Sequence, residues 1–220
     1  MKARAEQGAD EGLWIRAETQ NGGIGRLGRK WESPKGNLFC SGLADIRSGD
    51  PISSSLSFVA ALAVFETIRS YLPDTEMQLK WPNDVLVSGA KICGILLERV
   101  GNQIVVGIGI NVAIAPPVDG RPIMSIHQAG ATHCTAEKLI EELATAFARN
   151  VDSWRSFGLA STLSEWQKHA HPIGAIVSTS APHGGKISGE FAGLAEDGAL
   201  RLRKADDTLI EIRAGDIELG

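Results

Sequence analysis

The sequence predicts an α+β fold, with a sheet-and-helix body over residues 1–172 and a small β-barrel over residues 173–220. Three observations predict it. Two long segments, residues 53–72 and the stretch that starts at Thr135, place apolar residues at helical spacing. Between them lie short apolar runs bounded by Gly, Asn, Ser and Pro, the pattern of strands and turns. After His171-Pro172 only short runs and glycine-rich turns follow, and about fifty residues of that kind are too few to be very stable alone.

The chain has 220 residues, 43 % hydrophobic and 22 % charged, so it can bury a core of ordinary domain size. Its net charge of −4 argues against general nucleic-acid binding, which needs a strongly basic surface. The 3 cysteines, Cys40, Cys93 and Cys134, are odd in number and far apart. Without a CxxC pair or Cys/His ligand spacing they predict buried free thiols in a reducing compartment, and no metal site. The polar start has no apolar leader and no run reaches membrane-spanning length, so a cytoplasmic protein without a membrane partner is expected.

In order, residues 3–7 are good helix formers and Gly8 suits the residue after a helix, so the start reads as the end of a helix whose beginning is missing. Residues 13–17 read as a strand, 21–28 as a glycine-rich loop and 37–43 as a strand. The helix over 53–72 has serines 53 to 55 as candidate caps, an apolar face at Phe58, Leu62, Phe65 and Leu72, and Pro73 as its stop. Residues 77–81 form a short strand, and 85–87 and 92–99 a hairpin around Ser88-Gly89. Gly101-Asn102 turns the chain into a strand over 103–112. After a proline-rich loop over 116–122, Thr135 caps a long helix with Leu139, Leu143, Phe147, Val151 and Trp154 on its inner stripe. Thr162 and Glu165 form a capping box that predicts a separate last helix. Strands are then expected over 175–180, 186–194, 199–204 and 208–213.

Three segments carry chemistry. Gly23, Gly25 and Gly28 spell G-x-G-x-x-G after a strand, but Ser33-Pro34 and another strand follow where a dinucleotide fold needs a helix. What remains is a loop with free backbone N–H groups and the cations Arg26, Arg29 and Lys30, suited to wrapping a phosphate. Lys80-Trp81-Pro82-Asn83-Asp84 places a lysine and an aspartate around a tight turn, and Lys91 starts the strand beyond the hairpin. In 103–112, Ile104, Val106, Ile108 and Ile110 share one face, while Val105, Gly107, Gly109 and Asn111 share the other. Two glycines in a strand cost stability and are expected where a ligand or another backbone approaches closely.

Residues 17–31, 80–84 with 91–98, and 107–112 together resemble the three ordered signatures of biotin–protein ligases, and the likeness runs from about Glu11 to the end of the chain. The resemblance implies a mixed-sheet, biotin/lipoate ligase-like catalytic domain followed by an SH3-like domain. It implies that biotin attacks the α-phosphorus of Mg-ATP and that the acyl-adenylate is captured by a lysine of a biotin carboxyl carrier protein. By resemblance, Lys91 and Arg26 are catalytic and Asp84 receives the acceptor lysine. The biotin and adenylate contacts implied are Gln20, Gly23, Gly25, Arg26, Gly28, Arg29, Trp31, Lys80, Asn83, Lys91, Gly94, Gly107, Gly109 and Asn111. The cofactors implied are ATP and Mg2+, with biotin as substrate, and a homodimer stays open.

Two departures stand out. Ile24 replaces a common arginine. The family's Ser-Thr-Asn or Ser-Thr-Met segment, which holds the biotin head group, has no counterpart here, so an N-terminal strand and helix are expected upstream, with weak biotin binding in their absence. No helix-turn-helix precedes the loop, so a repressor function is not expected. A lipoate–protein ligase and a truncated, binding-only homologue are the alternative readings.

Overall fold

The computed structural model of the chain describes residues 1–118, 120–180 and 185–219. Six strands form the main sheet: β1 (Trp14–Ala17), β2 (Leu38–Asp45), β3 (Met77–Lys80), β4 (Asp84–Val87), β5 (Ala90–Val100) and β6 (Gln103–Ile110). Their spatial order is β1-β2-β6-β5-β4-β3, and every neighbouring pair is antiparallel. Among the described residues, the parallel component expected of a mixed sheet is confined to isolated bridges, Leu79 with Ala170 and Lys91 with Ile123. Ser88 and Gly89, both at positive φ (48° and 75°), turn β4 into β5 as a two-residue hairpin requires.

The alternation read in residues 103–112 decides where the core lies. Ile104, Val106, Ile108 and Ile110 are all buried in one cluster with α2 (Leu56–Tyr71) and α3 (Ala136–Lys168). Helix α2 is buried on most of its circumference, and Ala60, Ala61 and Ala63 let neighbouring elements come close. The serines expected to cap it form a short 3-10 turn, Ser53–Ser55, and none makes a capping hydrogen bond. Ser55 is instead buried, donating to the Ile52 carbonyl and accepting the Trp154 indole N–H at 2.8 Å.

Thr135 caps α3 as predicted, its hydroxyl oxygen accepting from the Lys138 amide. The separate last helix does not start at Thr162. The break is at Gly158 (φ 77°, ψ 176°), a conformation open to glycine and closed to most side chains. Thr162 is buried inside the second segment, and Glu165 pairs with Lys168 and His169 rather than serving a cap. At the other end of the chain, the short α1 (Lys2–Glu6) places the Lys2 ammonium 2.5 Å from the Glu98 carboxylate on β5.

Among the described residues the barrel has five strands where four were predicted: β7 (Ile176–Ser180), β8 (Lys186–Leu194), β9 (Leu200–Arg203), β10 (Leu209–Ile212) and β11 (Ile217–Leu219), ordered β10-β9-β8-β7-β11. Three residues of β11 are too few for a periodic signal. The barrel shares a continuous core with the main sheet: Trp81 donates its indole N–H to the Gly198 carbonyl at 3.1 Å, and a Cβ on Gly198 would lie 2.6 Å from the Phe58 ring. All three cysteines are free and buried, and burial raises their thiols above the ordinary range. No described helix is long and apolar enough to cross a membrane.

His171, at the junction of the two sheets, is 6 % exposed, and its Nε2 has no hydrogen-bond partner among the described residues. Burial, assisted by the Lys80 charge, lowers its pKa from 6.5 to about 4. The unfolded chain takes up this proton near its ordinary pKa and the folded chain only near the lowered one. Stability is therefore complete above about 6.5 and falls as the pH drops toward about 4, by on the order of 3 kcal/mol. Denaturant titrations at neutral pH and at the acid end should show His171→Gln losing less stability than the parent; parallel losses would remove His171 as the cause.

Candidate active site

On the face of the sheet turned from the helices lies a cavity of about 530 Å³. Phe39 and Ser41 of β2, Gly94, Leu96 and Glu98 of β5, and Val105, Gly107 and Gly109 of β6 line it. Alternation explains the choice: each second residue of these strands faces the cavity while its neighbours feed the core. The rim is the segment from Gln20 to Glu32 on one side and Pro116, Val118, Arg121 and Ile123 on the other.

The glycine-rich segment is a closed hairpin. Trp31 donates its amide to the Gly23 carbonyl at 2.8 Å, Gly25 donates to the Arg29 carbonyl at 2.7 Å, and Ile24 bridges Lys30. A Cβ on Gly23 would lie 2.5 Å from the Trp31 carbonyl oxygen, so no larger residue fits there. Leu27 (φ 58°) and Gly28 (φ 71°) form the tip in the left-handed region, with the Leu27 side chain 82 % exposed. Gly23 and Gly28, expected to contact a ligand, thus shape the hairpin and do not line the cavity.

Trp31 folds from the hairpin onto the sheet. A Cβ on Gly109 would lie 2.6 Å from its indole, and one on Gly94 3.0 Å from it. Gly109 is therefore bare because a ring covers it, whereas a Cβ on Gly107 meets nothing closer than the Leu96 carbonyl at 3.4 Å. The Trp31 indole N–H is buried with no partner among the described residues. The Lys91 ammonium stands 5.5 Å from the centre of that ring and 2.5 Å from an Asp84 carboxylate oxygen.

Of the residues singled out in the sequence, the fold brings Gln20, Gly25, Arg26, Arg29, Trp31, Asn83, Lys91, Gly94, Gly107, Gly109 and Asn111 to one cavity wall. Asn111 is buried, its amide donating to the Met124 carbonyl at 3.2 Å. Asp84 stands behind Lys91 as its ion partner, and Lys80 faces Asp84 across the β3–β4 pair; neither lines the cavity. Burial lowers the Lys80 pKa, opposed by Asp84 and reinforced by Arg121 and Lys91. Sequence reasoning missed Ser41, Arg121 and Asp216. Asp216, just before β11, contacts Arg26 at 3.2 Å, Arg29 at 2.5 Å and Arg121 at 3.5 Å. No local pattern announces a partner 190 residues from Arg26.

Residues 3–114 match the model of the biotin/lipoate A/B protein ligase family, and residues 179–220 match the biotin protein ligase C-terminal domain. The chain belongs to the biotin/lipoate A/B protein ligase family. It is 34 % identical over 211 residues to a biotin–[acetyl-CoA-carboxylase] ligase of Paracoccus denitrificans, covering 89 % of this chain and 86 % of that protein. To the protein of the same name from Mycobacterium tuberculosis it is 30 % identical over 224 residues, covering 99 % of this chain and 83 % of the relative. The biotin protein ligase from Aquifex aeolicus, solved in complex with biotin and ATP, superposes with a TM-score of 0.84 at 25 % identity over 100 % of this chain and 93 % of that one. The expected α+β ligase fold with its C-terminal β domain is thus borne out, and the relatives support biotin over the lipoate alternative.

The two β6 glycines should respond differently to a methyl group. Gly107→Ala should fold normally and weaken biotin binding, since its Cβ enters the cavity at ordinary contact distance. Gly109→Ala must displace the Trp31 ring, and overpacking of this kind costs about 1–3 kcal/mol. Thermal melts with calorimetric biotin titrations test this; equal destabilisation by the two would contradict their separate roles.

Proposed function

We propose that the chain is an ATP-dependent biotin–protein ligase that acts in the cytoplasm on the biotin carboxyl carrier protein of a biotin-dependent carboxylase. The observation that carries this reading is Lys91 and the arginine hairpin set at the mouth of a cavity whose floor is the bare Gly107 strip. Residues 1–172 would form the catalytic domain and 173–220 the SH3-like domain.

In the first step a biotin carboxylate oxygen bonds to the α-phosphorus of ATP, supplied as its magnesium complex, and pyrophosphate leaves. Lys91, Arg26 and Arg29 offset the negative charge that gathers on the phosphorus oxygens. In the second step the carrier's lysine nitrogen attacks the acyl carbon, AMP leaves, and the nitrogen loses its proton. The adenylate is open to hydrolysis, so the Trp31-anchored hairpin has the further task of keeping water out. Asp84, by resemblance the acceptor site, is already ion-paired to Lys91, which gives it a prior role as a positioning residue for that lysine.

Loss of a pre-organised donor to a developing charge typically costs about 10²–10³ in rate. Lys91→Ala should lower biotin-dependent ATP–pyrophosphate exchange by that order while sparing transfer from supplied biotinyl-adenylate. Exchange with lipoate but not biotin would refute the substrate assignment. Asp84→Asn should depress exchange together with transfer; a loss of transfer alone would place Asp84 on the acceptor amine instead.

A further inference from the structure

The segment after β6 is held by one buried side chain. Asn37, immediately before β2, is 1 % exposed, and its side-chain oxygen accepts the amides of Val112, Ala113 and Ile114, each at 3.0 Å. Its side-chain nitrogen donates to the Ile114 carbonyl at 2.7 Å. Three successive amides turned inward form a concavity that attracts negative charge, and here a neutral side-chain amide fills it. A carboxylate would serve the three donors better, but it would set a second acceptor against the Ile114 carbonyl. Gly36, at φ 92°, lets the two segments touch, since a Cβ there would lie 2.9 Å from the Ala113 Cβ.

From this turn the chain runs along the cavity rim, where Pro116, Val118, Arg121 and Ile123 line the cavity. It then comes back to Lys91. The ladder between β5 and β6 ends at Cys93 and Ile110, so Lys91 lies beyond it. The returning segment takes up that place: the Lys91 amide donates to the Pro122 carbonyl at 2.9 Å, and the Lys91 carbonyl accepts the Met124 amide at 3.0 Å. The same segment is tied back to the Asn37 turn. Ile126 and His127 donate to the Asn111 and Val112 carbonyls, both at 2.9 Å, and the Ser125 hydroxyl donates to the Ala113 carbonyl at 3.3 Å. The residues that grip the Lys91 backbone therefore stand on residues that Asn37 holds.

We propose that Asn37 is a positioning residue for Lys91, acting through residues 122–124 on the backbone that carries the lysine. The proposal rests on the ligase reading above. A displaced ammonium loses most where charge develops on the phosphorus oxygens, so the loss should appear in kcat rather than in the binding of biotin.

The test is Asn37→Asp in the full chain, made in the parent and in the Lys91→Ala background. Amide hydrogen exchange of the ligand-free proteins reads the grip directly, and steady-state biotin-dependent ATP–pyrophosphate exchange reads its consequence. In Asn37→Asp the Lys91 and Met124 amides should lose protection by about five- to tenfold, the scale of one net hydrogen bond, while the amides paired between β2 and β6 keep theirs. The kcat should fall by a similar factor, with calorimetric biotin affinity near that of the parent. In the Lys91→Ala background the same substitution should cost less than about twofold, because the group it positions is gone. Should Asn37→Asp melt below the assay temperature, Ser125→Ala loosens the same turn from its other side and should repeat the pattern. An unchanged kcat, an equal loss in both backgrounds, or unchanged protection of Lys91 and Met124 would overturn the proposal. A uniform loss of protection across β2 and β6 would also overturn it, making Asn37 a general support of the sheet. Absence of pyrophosphate exchange in the parent chain would fail the ligase reading instead, and the amide protection would still judge the hold of Asn37 on Lys91.

Discussion

Strand β6 has to satisfy two neighbours with opposite demands. Toward the helices it must fill space, and Ile104, Val106, Ile108 and Ile110 do so with almost no exposure. Burial of a side chain of that size stabilises by about 1.5–3 kcal/mol, so four of them outweigh the roughly 0.5–1 kcal/mol that each strand glycine costs. Pairing with β2 on one side and β5 on the other then holds the strand through backbone hydrogen bonds that need no side chains. The bare strip over the cavity is tolerated only because the opposite face is so heavily packed.

The second demand on that strip is met by a residue from elsewhere. Trp31 supplies at Gly109 the surface that β6 lacks, and in doing so ties the arginine hairpin to the sheet. Lys91 is then fixed from two sides, by the Asp84 carboxylate and by the face of the same ring. The cations at the cavity mouth are therefore held by apolar packing as well as by charge, and the indole adds an anchor on the sheet to the backbone hydrogen bonds that close the glycine-rich hairpin.

What was legible in the sequence was what local spacing encodes. Period two in residues 103–112 located the sheet's two faces, and the Ser88-Gly89 turn located the β4–β5 hairpin, because each depends on neighbours in the chain. Competing local signals were harder to rank. The Thr162–Glu165 capping box had the right letters, yet Gly158 breaks α3 and the packing of Thr162 against the core overrides its capping tendency. Ser55 had the letters of a cap and serves instead as a buried acceptor for Trp154, a partner 99 residues away. Gly109 was rightly placed on the cavity face, but which neighbour requires its bareness, ligand or indole, depends on the tertiary path of Trp31. Asp216 was invisible for the same reason in stronger form, since nothing near it in the chain marks it as a collector of arginines.

The distance between Asp216 and its partners also explains why a small barrel belongs in this molecule. About fifty residues bury too little surface to be very stable alone, so the barrel gains by sharing a core with a larger body. It does so at Trp81, Phe58 and Gly198, beside the turn that carries Asn83 and Asp84. That docking fixes the orientation of β7, and β7 through Thr179 fixes Asp216. Asp216 and Asn83 then hold the same Arg26 guanidinium, one from the barrel and one from the main sheet. The packing that makes the barrel fold is thus the packing that sets the register of the arginines, and any shift of the barrel on the sheet has to move the cations at the cavity mouth with it.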